Sequence, residues 1–414
     1  MTLTMGSPEF RLSVSFLLLL FIFPETVQAG QFEPGPLGAE RLKEAATAAG
    51  FRVRGVRANI PSAVRSRLPF TVSPYDDKQL AILREKYQLE KVIAPARDEW
   101  TAQLLLKEWV HKAIPGGQAK ASAHHALDIL ELSARGETFW CTHYSITYME
   151  CALALGWQAR HLGVDRRHGP DGLESSHHGV TEVWSNQFHK WVVIEAQSNL
   201  HFEKEGVPLA AWEIRAEWLK NHGTAVDHIV GVLPNAVKNG MMPLWTQREA
   251  TSVYFWIYFA DHATTTGTGE GTKLIFPQDE ANAGLIWFQN DDPIKRKGVI
   301  HPGYLRNHFV LTDRIGDAYW TVGIVEADMT GVSQQAIQLS LDSYCANLVA
   351  YEVSFDGTNW EPIKDKKSLR WNLKPGWNPL RLHTLGRGNV VGPETTVLLD
   401  LESVAHDPSA QGGQ

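Results

Sequence analysis

The sequence predicts an α+β protein in which helices lead into a small antiparallel sheet and a β-sandwich domain closes the chain. Three observations carry that prediction. Apolar residues recur at helical spacing over much of residues 38–155. From residue 158 the period changes to two, without the repeated strand–helix alternation that builds parallel sheets. From residue 251 onward, short alternating runs are separated by turn signals at sandwich-like spacing. At 414 residues the chain exceeds the size at which single cores stop growing, so two or three domains are expected.

Near the start, Arg11 precedes an apolar run over 12–23. Pro24 breaks it, and Val27-Gln28-Ala29 offers a peptidase-type site. This is the pattern of a secretory signal covering 1–29, which predicts an exported (periplasmic or extracellular) protein with no membrane attachment after cleavage. The run is short for a bilayer span. Residues 1–10, with a second Met at position 5 and the stretch Gly6-Ser7-Pro8-Glu9-Phe10, resemble a cloning remnant or a misplaced start.

Residues 30–112 read as a helical segment. It opens with a Gly/Pro-rich linker over 30–37, and its helices fall at 38–49, 76–87 and 98–113. In the last, Leu104, Leu105, Trp109 and Val110 share a face. A core domain is expected over 113–222, after the stop at Pro115-Gly116-Gly117. It carries helices at 125–133 and 141–155, the second with Ser145, Tyr148, Met149, Ala152 and Leu155 inward and Gly156 at the C-terminal cap. Strands follow at 158–163, 179–184 and 190–194, then a helix within 207–221. A connector at 223–250 holds Pro234, Gly240 and Pro243. The sandwich is expected over 251–404, with strands around 254–259, 273–276, 351–355, 369–373, 380–382 and 397–401, and a tail over 405–414. The Gly/Thr-rich stretch 264–272 lacks the Gly-Lys-Ser/Thr of a phosphate cradle and reads as a hairpin connection.

Composition is that of a globular protein, 43% hydrophobic and 21% charged. A net charge of −7 and the lack of a long basic run leave no footprint for nucleic acid. Fifteen tryptophans suit sugar-binding clefts and packed sandwich cores alike. The three cysteines are an odd number for an exported protein. Cys141 and Cys151 fall on one predicted helix about 15 Å apart, too far for a disulfide. At least one thiol is therefore free, or one pairs with Cys345.

A nucleophilic cysteine needs a stabilised thiolate, a base in hydrogen-bond reach and a group orienting that base. Cys141 stands at a predicted helix start, where unpaired N–H groups favour a thiolate and can receive an oxyanion. Cys151, deeper in the same helix, reads as a structural residue. After Cys141 come Gly156-Trp157-Gln158-Ala159-Arg160, then His178-Gly179-Val180-Thr181-Glu182-Val183, then Trp191-Val192-Val193-Ile194-Glu195.

That series, within about residues 98–200, resembles the transglutaminase-like superfamily. The shared pattern is a cysteine at a helix N-terminus, a Gly-x-x-x-Arg entry to the first strand, a histidine opening the second and an acid ending the third. The resemblance implies Cys141 as nucleophile, His178 as general base and Glu195 as orienting acid. The family usually has Asp-Pro where this chain has Glu195-Ala196, and Trp140 precedes the nucleophile where crosslinking members have a tryptophan after it. His177 competes with His178 as base. Trp140, His177, Glu182 and Trp184 are the candidate substrate contacts. Arg160 is expected in an ion pair with Glu150 or Glu182, and His143 is expected to be solvated. Neither a zinc-type His-Glu-x-x-His nor a paired Cys-x-x-Cys occurs, so no metal or other cofactor is expected. There is no Gly-x-Ser-x-Gly elbow.

Such a site predicts acyl transfer, with hydrolysis of a peptide-like amide favoured over crosslinking. Two alternatives stay open. A glycan-acting hydrolase would use a carboxylate pair from Glu182, Glu195, Asp165 and Glu174, with the sandwich binding carbohydrate. A non-catalytic module would bind a glycan or a protein. The sequence does not fix the oligomeric state.

Overall fold

The computed structural model describes residues 33–119, 122–165, 177–239, 247–260, 262–264, 273–277, 308–312, 314–365 and 367–404. The expected signal 1–29, most of the 264–272 connection and the tail 405–414 lie outside the described residues. The described chain is mixed α/β, with several antiparallel sheets and eight α-helices.

The helices are α1 (Ala39–Ala48), α2 (Lys78–Lys86), α3 (Leu89–Ile93), α4 (Glu99–Ala113), α5 (Ala126–Ser133), α6 (Cys141–Ala154), α7 (Ala211–Asn221) and α8 (Gln247–Ser252). Local chemistry sets their starts. Asp77 accepts from the N–H groups of Gln79 and Leu80 to begin α2, and Asp98 accepts from that of Thr101 to begin α4. Helix α6 is buried at every residue from Tyr144 to Ala154 except Ile146. Such a helix belongs inside a core, and α2, α4 and α5 pack around it.

The longer strands are β1 (Phe51–Asn59), β2 (Ala159–Asp165), β3 (His177–Ser185), β4 (Lys190–Ile194), β5 (Trp256–Ala260), β6 (Lys273–Pro277), β7 (His308–Thr312), β8 (Glu326–Ser333), β9 (Ala336–Asp342), β10 (Leu348–Ser354), β11 (Ser368–Asn372), β12 (Gly376–Gly386) and β13 (Thr395–Ser403). Six form one sheet in the order β7-β6-β5-β2-β3-β4, antiparallel except for β6 beside β7. Successive residues serve its opposite faces. Val183, Val192 and Ile194 join the core of α4–α6, whereas Val180, Val193 and Leu162 pack with Ile214 of α7 and with Tyr254.

The second unit has two facing sheets. One runs from Glu361–Pro362 through β10, β12 and β13 to β1, and the other runs from Gly35–Pro36 through β8 and β9 to β11. Leu339, Trp371, Leu382 and Leu399 fill the space between them, and Leu42, Ala45 and Ala46 of α1 join that core.

Strand pairing crosses the expected divisions in two places. Gly35–Pro36 and β1 belong to the sandwich sheets, although 30–112 reads as a linker and helices. Arg52, Arg54 and Arg57 mask the alternation of β1, and Arg54 pairs with Asp400 across the strand boundary at 2.5 Å. Conversely, β5 pairs with β2 and carries β6 and β7 into the six-stranded sheet, although 251–404 reads as sandwich. A period of two identifies a strand without naming the sheet it joins. The connector also holds paired strands, Asp227–Val230 and Val237–Lys238.

The two units touch backbone to backbone. Gly156 ends α6 at φ +91°, and a Cβ there would collide with the Arg387 carbonyl; Gly388 meets Leu155 in the same way. Beside this contact lies an open cleft of about 1090 Å³, lined by Glu99, Trp157 and residues 385–394.

Candidate active site

Trp140 is extended (φ −88°, ψ 172°), and the helix begins at Cys141. The N–H groups of that first turn have no partner within the helix. What brings this helix end to the sheet is Gly179. A Cβ there would stand 2.9 Å from Thr142 Cα and 3.1 Å from its nitrogen, closer than side chains pack. The missing side chain lets helix and strand meet at the position next to His178. One turn further, Ser145 fastens the contact. Its hydroxyl donates to the Val180 carbonyl at 2.6 Å and lies 2.7 Å from His161 Nδ1, while Thr181 donates back to the Ser145 carbonyl at 2.9 Å.

His178 and Glu195 are each 4% exposed. The imidazole hydrogen-bonds Cys141 on one side, and its Nε2 lies 3.3 Å from Glu195 Oε1 on the other. Burial opposes the charged imidazolium, but Cys141 and Glu195 together outweigh it and push the His178 pKa up to about 10. The Cys141 sulfur on one side and the Glu195 carboxylate on the other thus both favour the charged imidazolium.

Glu195 owes its position to a short loop. Glu195 and Leu200 exchange backbone hydrogen bonds of 3.0 and 2.8 Å, closing the chain immediately after β4. Inside that loop the carboxylate accepts from the N–H groups of Gln197 (3.1 Å) and Ser198 (3.0 Å). Burial works to raise its pKa, but His178 and Ser198 prevail and hold it below the usual carboxylate range. The longer glutamate arm, where the resembled family has aspartate, is thus anchored at both oxygens.

Two residues of α4 carried no signal of their own; His111 braces the same loop, and Lys107 bonds His201 and Gly231 beyond it. His111 Nδ1 lies 2.9 Å from the Gln197 carbonyl. Lys107 is fully buried; its Nζ donates to the Gly231 carbonyl at 3.1 Å and lies 3.2 Å from His201 Nδ1. Burial lowers its pKa to about 7 against the opposing pull of Glu195. Their spacing of four on one helix was the one legible hint.

The remaining candidates divide. Trp140, 51% exposed, stands directly before Cys141 and is open to a substrate. Glu182 is not: it is fully buried, bonded to Arg160 at 2.6 Å, and accepts from Ala211 N and the Tyr319 hydroxyl. Arg160 in turn stacks among Trp191, Phe259, Tyr319 and Trp320 at 4.2–5.0 Å. With every lone pair engaged, Glu182 belongs to the core, so a carboxylate pair using it has no acid free to reach a sugar. Trp184 is 3% exposed and packs edge-on to Trp191, so it offers little of its surface to a substrate. The side chains of His177 and Asp165, and all of Glu174, lie outside the described residues. Glu150 turns instead to His125 and the start of α5. His143 packs against Phe139 at 4.9 Å, with burial lowering its pKa, so it is not simply solvated.

None of the three cysteines forms a disulfide among the described residues. Cys141 is half-buried at the helix mouth, whereas Cys151 is fully buried and its pKa is raised well above the ordinary value by burial. Among the described residues no cluster of three His, Cys, Asp or Glu side chains could hold a metal ion, and no helix is long and apolar enough to cross a membrane.

No family model and no curated protein matches this chain. Among solved structures, a candidate cysteine protease from Cytophaga hutchinsonii is similar over 30% of this chain and 40% of its own, at 10% identity and a TM-score of 0.23. The chain thus spans under half the length of that protein. A likeness of that extent leaves the reading to the geometry of the site.

Proposed function

We propose that this protein is a cysteine-dependent acyl-transfer enzyme that hydrolyses peptide-like amide bonds on a transglutaminase-like core, and that it works outside the cytoplasm. The observation that carries the reading is the buried His178 between Cys141 and Glu195, in the order nucleophile, base, orienting acid. In this reading the Cys141 thiolate attacks the amide carbon, and the first-turn N–H groups of α6 receive the oxyanion. His178 gives its proton to the departing amine as the tetrahedral adduct collapses to a thioester. A water molecule then loses a proton to His178, attacks the thioester and releases the acid and the thiolate. Glu195 keeps the imidazole oriented throughout and stabilises it whenever it carries the proton, and Trp140 provides an apolar wall beside the scissile bond.

The test is a panel of chromogenic amides and esters with the parent protein, Cys141→Ala and Cys151→Ala, together with labelling by iodoacetamide and mass mapping. The expected result is turnover that Cys141→Ala abolishes and Cys151→Ala spares, with label on Cys141. Undiminished turnover in Cys141→Ala would discard the reading.

A further inference from the structure

The sandwich carries a second surface with the chemistry of a ligand site. Where β11 turns into β12, a groove of about 190 Å³ opens between the two sheets. That volume matches a single sugar ring more closely than a peptide segment. Trp377 and Phe355 stand on it at 52% and 38% exposure. An exposed indole is held at a cost in solvation unless something covers its face. The turn that carries it is pinned: the buried Asn378 side chain accepts from Lys374 N at 2.9 Å and donates to the Lys374 and Gly376 carbonyls at 2.7 and 2.9 Å. Three bonds from one amide fix the turn that presents Trp377.

Beside the indole lie Arg370 and Lys374, both exposed. Among the described residues neither pairs with a carboxylate, and Arg370 Nε donates only to Asn372 Oδ1 at 3.1 Å. The chain as a whole is acidic, at −7, so two unpaired cations flanking a fixed aromatic plate are a local feature and not a reflection of bulk charge. A flat apolar face takes the C–H side of a pyranose, and guanidinium and ammonium groups take an anion held in the same ring plane.

We propose that this groove binds an acidic polysaccharide, with one sugar ring stacked on Trp377 and its carboxylate or sulfate group met by Arg370 and Lys374. The site is separate from Cys141 and does not depend on the enzymatic reading.

Affinity electrophoresis of the full chain tests it, using gels containing polygalacturonate, dextran sulfate or neutral dextran. Polygalacturonate reports carboxylate recognition and dextran sulfate reports sulfate recognition. We expect retardation by at least one of the two anionic polymers and none by dextran. Trp377→Ala and the double substitution Arg370→Gln/Lys374→Gln should each weaken it about tenfold or more, and Cys141→Ala should leave it unchanged. Circular dichroism confirms that each variant is folded, and Phe355→Ala serves as a second probe of the plate. Absence of retardation in both anionic gels would overturn the proposal. So would a Trp377→Ala protein retarded like the parent, since attraction would then be electrostatic alone, or equal retardation by dextran.

Discussion

One sheet and the loop at its edge hold two buried pairs of acid and base, and they have opposite consequences. Arg160 and Glu182 face each other directly across β2 and β3. The guanidinium is enclosed by aromatic rings, and the carboxylate is saturated by Arg160, Ala211 and Tyr319. Nothing there can exchange a proton or meet a substrate. His178 and Glu195 lie nearer the sheet's open end, where the strand meets the start of α6, and the imidazole keeps one side for a thiol. Burial is equal in the two pairs to within a few percent. What separates them is whether a third, reactive group completes the set. A buried ion pair by itself is weak evidence of function, because structural pairs have the same electrostatics; one that ends on a half-buried cysteine at a helix mouth is a candidate site.

The largest effect that would break this contrast is at the thiol. Cys141→Ala should lower kcat/KM by about 10⁴-fold or more, the scale at which removing a nucleophile leaves only binding and oxyanion contributions. Cys151→Ala should leave kcat/KM within about twofold, because that thiol is sealed in the core and acts only by packing. Steady-state kinetics on the two variants decides it, and comparable losses in both would mean that the position on the helix is not what matters.

Exchanging the two acids sharpens the comparison. Glu195→Gln should lower kcat on the order of 10²- to 10⁴-fold, the range of general acid–base contributions, while the protein stays folded. Glu182→Gln should do the reverse. It leaves Arg160 buried and uncompensated, which costs about 3–5 kcal/mol of stability in chemical denaturation, while kcat per folded molecule is retained. If Glu182→Gln proved the more damaging to kcat and the milder to stability, the assignment of the two pairs would be reversed. A smaller effect follows from the contact that joins helix and strand. Gly179→Ala must displace Thr142, and misplacement of a nucleophile by about 1 Å costs roughly 10²-fold. The loss should appear in kcat and in the rate of Cys141 alkylation together, and unchanged alkylation would show that the close approach does not set the thiol's position.

How much of this was legible in the sequence follows the same division. The helix carrying Cys141 could be read because its inward residues repeat at helical spacing and Gly156 ends it. The strand carrying His178 could be read because its polar and apolar residues alternate. Lys107 and His111 could not, because their partners lie far along the chain, Gln197 for His111 and His201 and Gly231 for Lys107. Ser145 read as one more inward residue, and only the pairing of α6 with β3 reveals it as a polar rivet. Glu182 and Trp184 read as site residues because β3 carries His178; the strand continues into the core, and a strand pattern has no depth coordinate. The placement of β1 and β5 failed for a related reason. Alternation gives a strand its two faces, while its neighbours are chosen by packing between segments far apart in sequence.

The smallest effect, and the one most particular to this site, is the pH dependence of stability. His178 has a folded pKa of about 10 against an ordinary 6.5, so the folded state holds more protons than the unfolded one between those values. Its contribution is fully present below pH 6.5 and is lost as pH rises through 10. Lys107 acts oppositely in an overlapping window. Its folded pKa of about 7 lies below the ordinary 10.5, so the unfolded state holds more protons there and stability rises with pH from 7 to 10.5. The two partly cancel in the parent protein, whose stability should change little across that range on their account. Substitution separates them. His178→Ala should become more stable, relative to the parent, as pH rises from 7 to 10, and Lys107→Met should become less so, each by on the order of 1 kcal/mol or more. Urea denaturation at pH 7 and pH 10 measures both. Parallel curves for the parent and His178→Ala would mean that the imidazole is not held charged by Cys141 and Glu195, and the contrast between the sheet's two pairs would then lose its chemical basis.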